Sequence, residues 1–155
     1  MTTVTLNNLD YTLTMVLAEW LGVCYGEPTS ATRKATVRIG ITTHDKPLGI
    51  PMVNLEIVPV SVVGAGMGQC DSGKEFRKYV AHIRITTDDN GKGYAEAIGI
   101  LQLGDMLMAH YRHATNGVYA LANKGLRKVR LEGGTPSPDK NYHHRDYYLR
   151  FEVLI

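Results

Sequence analysis

At 155 residues, with 44% hydrophobic and 21% charged residues and a mean hydropathy of −0.15, the chain is sized for one core and excludes a disordered or membrane-embedded class. The net charge of +2 and pI near 8.5 are too weak to imply nucleic acid on their own. Cys24 and Cys70 have no CxxC spacing, which excludes a disulfide scaffold. The N-terminal stretch lacks the basic region of a leader, so one domain spanning 1–155, made in the cytoplasm with free thiols, is expected.

In chain order, Leu9, Leu13, Val16, Leu17, Trp20, Leu21 and Cys24 recur at helical spacing behind Asn7 or Asn8 as N-cap, and Gly26-Glu27-Pro28 ends that helix. Trp20 reads as a core or interface anchor on the stripe. Residues 32–41 alternate loosely, as in a short or edge strand. Residues 52–63 are a stronger strand, with Val53, Leu55 and Ile57 on one face and Pro59 demanding an edge position or a bulge. A glycine-rich connection over 63–74 follows.

Tyr79, Ala81, Ile83 and Ile85 then alternate with Lys78, His82, Arg84 and Thr86, the period of a half-buried strand. Past Asp89-Asn90-Gly91 the period becomes helical, with Ala97, Ile100, Leu101, Gly104, Leu107, Met108 and Tyr111 on one stripe. Ile98 and Met106 lie off that stripe with Ala109, a second apolar patch that either the first helix or a neighbouring subunit covers. Thr115-Asn116-Gly117 stops the helix. Residues 124–131 form a basic strand, 133–145 a second long loop containing Pro136 and Pro138, and Tyr147, Leu149, Phe151, Val153 and Ile155 alternate in a closing strand. Strands grouped in runs with two helices indicate an α+β fold: a mainly antiparallel sheet with an N-terminal helix and a second long helix packed on it.

No motif announces a reaction. Gly68 to Lys74 nearly matches a P-loop, but Glu75 stands where magnesium needs a Ser or Thr, and a strand pattern follows where a helix is required. His110 and His113 at i, i+3 lack converging ligands, and no serine sits in a nucleophile elbow. These observations predict no cofactor, no metal and no enzyme. Lys78, His82 and Arg84, with Arg127, Lys128 and Arg130, offer either a solvated face or a basic surface toward nucleic acid.

Taken together, the opening amphipathic helix, MVNLEIVPVSV leading into a long loop, FRKYVAHIRITTD turning into GYAEAIGILQLGDMLMAHY, and the closing YYLRFEVLI resemble the tail terminator, or tail completion, proteins of tailed bacteriophages. The likeness spans nearly the whole chain as an order of elements. It implies a structural virion protein of the tail and neck, assembled as a hexameric ring that caps the tail tube, ends its polymerisation and offers the head-to-tail joining surface. The implied partners are further copies of the chain, the tail tube protein and head-tail connector proteins, with DNA as passing cargo and no membrane. By the same resemblance Ile98, Met106 and Trp20 become subunit-packing candidates. Gly64, Gly66, Gly68, Asp71 and Lys74 in one loop, and Asp139, Lys140, His143 and His144 in the other, become contacts to axial partners; Lys78, His82 and Arg84 face the channel. Another neck or tail-tube component of the same fold, or a small nucleic-acid-binding protein, is the alternative.

Overall fold

The computed structural model describes residues 9–26, 34–40, 51–64, 75–88, 93–138 and 142–154. The described elements are α1 (Leu9–Tyr25), β1 (Thr36–Ile39), β2 (Met52–Gly64), β3 (Glu75–Asp88), α2 (Gly93–Arg112), α3 (Val118–Asn123), β4 (Leu126–Pro138) and β5 (Tyr142–Leu154). The strands form one mixed sheet in the order β1-β2-β3-β5-β4. Only β1 and β2 run parallel; the other three pairs are antiparallel. The α+β class expected from the sequence is therefore present, with one parallel edge added to the antiparallel sheet.

Strand parity builds the core. Tyr79, Ala81, Ile83 and Ile85 of β3 and Tyr147, Leu149, Phe151 and Val153 of β5 point to the same side and are buried under the helices. Tyr79 and Phe151, directly opposite in register, stack with centroids 5.6 Å apart. Onto this face α1 lays Leu9, Leu13, Val16, Leu17, Trp20 and Leu21, the stripe its spacing predicts. Each fully buried leucine contributes ~1.5–3 kcal/mol relative to exposure. The helix ends where Gly26 turns left-handed at φ 101° and returns its N–H to the Gly22 carbonyl at 2.8 Å.

The second helix corrects one expectation. Ile100, Leu103, Gly104 and Leu107 make its buried stripe, whereas Leu101 is exposed. At ~100° per residue Leu101 lies a quarter turn or more from Ile100, and Leu103 occupies the i+3 position that the core needs. The short helix α3 has no counterpart among the predicted elements; with six residues it carries too little periodicity to be read.

Pro59 sits where its missing N–H costs the ladder nothing. The carbonyls of Pro51 and Leu55 accept bonds from Thr36 and Gly40, so odd-numbered residues of β2 turn their backbone groups toward the outer edge. Pro59 shares that parity, lies beyond the reach of the four-residue β1, and is followed by the irregularity between Pro59 and Ser61. Edge position and bulge, the two demands read from this proline, are both met.

The predicted loop over 133–145 is largely absent. Thr135, Pro136, Ser137 and Pro138 pair with Asp146, Arg145, His144 and His143, continuing the β4–β5 hairpin. Two prolines mislead here because β4 is an edge strand, where a missing donor is tolerated. Gly64 likewise pairs with Glu75, so residues 63 and 64 of the predicted connection belong to β2.

Candidate functional surface on the open face of the sheet

Even-numbered residues of β3 point away from the helices, and register aligns them with polar partners on both sides. One cross-strand row is Asn54, Arg84 and Asp146; the next is Glu56, His82 and Tyr148; then come Val58, Val80 and Arg150, and finally Ser61, Lys78 and Glu152. The face is graded along its length. Met52, Asn54 and Thr86 at one end are fully buried, whereas Val58, Lys78 and Arg150 toward the other are exposed.

Asp146 organises the buried part. Its Oδ1 accepts hydrogen bonds from Arg84 Nε and His82 Nε2, both at 2.8 Å. Burial works to raise its pKa, but the hydrogen bonds from Arg84 and then His82, together with their charge, outweigh it and hold the carboxyl below the usual range. The His82 ring lies flat on Tyr148, 5.0 Å between centroids and 11° between planes. One row further in, the Thr86 hydroxyl and His144 Nδ1 share a hydrogen bond of 2.9 Å. This constellation holds a carboxylate between two donors and joins β3 to β5 as a cross-strand clasp.

The channel-facing candidates thus divide. Lys78 is exposed, while His82 and Arg84 are half-buried and engaged on Asp146. His143 and His144, expected in a projecting loop, lie in the ladder opposite Thr87 and Thr86. Sequence reasoning missed Asp146 and Arg150 as members of this face; the alternation of the closing strand already placed both on its polar side, but nothing local pairs them with β3.

The remaining candidates fall elsewhere. Trp20 is buried within its own chain, donating Nε1–H to the Asn116 carbonyl at 2.8 Å with its ring 4.5 Å from His110. It anchors the core, as one half of its reading expects, and also forms part of the wall of the groove between α1 and α3. Met106 is half-buried and packs on the core, its carbonyl receiving the Cys24 thiol at 3.6 Å, so the first helix covers this part of the second patch. The side chain of Ile98 lies outside the described residues, as do Gly66, Gly68, Asp71, Lys74, Asp139 and Lys140, while Gly64 closes β2. The strand β3 begins at Glu75, so a strand follows Lys74 where a P-loop would need a helix, as the sequence pattern predicts.

The histidines near the end of α2 serve structure. Burial lowers the pKa of His110, and His113 Nδ1 accepts the backbone N–H groups of Thr115 and Asn116 at 3.2 and 3.1 Å. Among the described residues no cluster of three metal-ligating side chains forms, and no helix is long and apolar enough to cross a membrane.

Among the described residues, two exposed apolar surfaces concern association. Between α1 and α3 runs a groove of about 200 Å³ lined by Val16, Trp20, Val23, Ala120 and Leu121, with Glu19 and Lys124 also lining it. Val23 is 62% exposed, and Tyr119 on α3 is similarly open. On the open face of the sheet, Val58 and Val60 are exposed where β2 runs past the end of β1, while Ile39, also exposed, shares the helix-side parity of its partner Leu55. No protein-family model and no curated protein matches the chain.

Proposed function

We propose that the chain is a structural virion protein of a tailed bacteriophage, a tail-terminator-like subunit whose ring caps the tail tube, ends its polymerisation and presents the head-to-tail joining surface. The observation that carries this reading is the pair of separate apolar surfaces, the α1–α3 groove with Val23 and Tyr119 on the helix layer, and Val58 and Val60 on the open face of the sheet toward its β2 edge. Two different patches on one chain favour head-to-tail association, and such contacts close into rings when the rotation per subunit permits. The outer edge of β2 beyond Leu55, which pairs with no strand among the described residues, supports the same reading, because a strand edge offers backbone groups to a neighbour. A hexamer is the assembly the resemblance implies.

The test is assembly. Purified protein should form rings under negative-stain microscopy, alone or on added tail tubes, and should stop elongation of polymerising tube protein. A strict monomer that ignores tubes would remove the reading. Rings that bind tubes without halting their growth would instead assign the chain to another neck position.

A further inference from the structure

The exposed end of the open face gathers more cations than carboxylates. Lys78, Glu152 and Arg127 form one cross-strand row, and Val80, Arg150 and Arg130 the next. Between Arg127 and Arg130 the β4 strand bulges, and Lys128 is the one described non-glycine residue with positive φ, at 50°. The bulge brings its Nζ to 3.5 Å from Glu152 Oε1. Lys78, Lys128, Arg130, Arg150 and Glu152 line a shallow depression of about 230 Å³.

Two features of this corner run against stability. Arg130 and Arg150 stand directly opposite each other in register, a like-charge pairing that a sheet ordinarily avoids. The left-handed backbone at Lys128 is a strained conformation for a lysine. Glu132 engages Arg150 and lies near Arg130, which relieves part of the repulsion. Counting Lys78, Arg127, Lys128, Arg130 and Arg150 against Glu132 and Glu152, five cations and two carboxylates leave this corner at +3, whereas the whole chain carries only +2.

We propose that this corner is a phosphate-contact site for the backbone of duplex nucleic acid, with Lys78, Lys128 and Arg130 as contacting cations and Arg150 held beside them by Glu132. Cations spread over three adjacent strands and two rows cover roughly 10 by 7 Å, a footprint rather than a pocket. Double-stranded DNA presents one phosphate per ~3.4 Å of helix axis on each strand, and the backbone path is longer than the axis, so the footprint faces about two to three of them. An acidic protein is the competing occupant, since Val60 and Val80 also line the depression, but the excess of cations spread over two rows matches a run of phosphates better than a single apolar anchor. The proposal deepens the ring reading by naming the face turned to passing DNA, and rests on that reading only for the orientation.

The full chain is titrated against a fluorescein-labelled duplex of about 20 base pairs by anisotropy across about 50–200 mM KCl, with oligomeric state followed by light scattering in the same samples. Affinity should fall with salt at a log–log slope of about −2 to −3. Arg130→Gln should weaken binding about 5- to 10-fold, lower the slope by about one, and raise the melting temperature by removing the like-charge pair. Lys34→Gln, an exposed lysine beside β1 at the far edge of the sheet, should change neither reading. The proposal is overturned by absent binding at the lowest salt, by equal losses in the two variants, or by equal affinity for poly-glutamate, which would assign the corner to an acidic protein. Displacement of the duplex by millimolar inorganic phosphate at constant ionic strength would also overturn it, assigning the corner to a small anion. Because ring formation is read separately, a failure of DNA binding and a failure of assembly are distinguishable.

Discussion

A Cβ on Gly104 would collide with the phenol oxygen of Tyr147, so α2 and β5 meet at a point where only a hydrogen atom fits. Tyr147 is itself 5% exposed, and its ring cannot swing into solvent without opening the core. The glycine therefore sets the approach of the long helix to the sheet.

In an unconstrained helix Gly→Ala gains ~1 kcal/mol. At this position overpacking outweighs that gain, and Gly104→Ala should destabilise the fold by about 1–3 kcal/mol. Urea denaturation checks the sign: a raised midpoint would mean that the helix can move away from β5.

The Asp146 clasp predicts an acid-sensitive increment of stability. Because the folded pKa is depressed below the ordinary carboxylate value, the stabilisation is present above that ordinary value and is lost as pH falls through the folded one. Asp146→Asn should cost about 1–3 kcal/mol near neutrality, since it deprives Arg84 and His82 of a charged acceptor. The gap between wild type and variant should begin to narrow as pH falls below the ordinary carboxylate value, ~4, and close only once pH is below the depressed folded value. Parallel denaturation curves at pH 7 and pH 3 measure the difference; a gap that stays constant would dissociate the carboxylate from the clasp.

Trp20 ties α1 to the turn after α2 through a bond to Asn116, 96 residues away. Trp20→Phe keeps an aromatic in the core but leaves that carbonyl without its indole donor and a small void beside His110. A loss of about 1–2 kcal/mol is expected. Thermal unfolding followed by circular dichroism reads it without relying on the tryptophan signal.

Cys24 should be inert in the folded protein. Burial pushes its thiol up to about 12, the hydrogen bond with Tyr25 opposing only in part, so almost no thiolate is available at pH 8. Iodoacetamide labelling followed by peptide mass spectrometry should show Cys24 protected until denaturant unfolds the chain. Rapid labelling in native buffer would contradict the packing of α1 against α2.

If the exposed edge of β2 joins subunits, Val60→Glu should abolish self-association while leaving monomer stability within about 0.5 kcal/mol, because the side chain is already 58% exposed. Sedimentation velocity of wild type and variant at matched concentration decides the point.

Local pattern was enough for much of this molecule. Period-two alternation in β3 and β5 specified which side chains enter the core, the three-and-four spacing of α1 specified its buried stripe, and Pro59 announced an edge, because each property follows from geometry within a few residues. Register and neighbourhood are different. That His82 and Arg84 share Asp146 more than sixty residues away, that Arg130 faces Arg150, and that Pro136 and Pro138 extend a hairpin rather than break it all depend on which strands lie side by side and on where β4 bulges. A residue's face is fixed by its own chain segment; its partner is fixed by long-range pairing, which only the folded sheet decides.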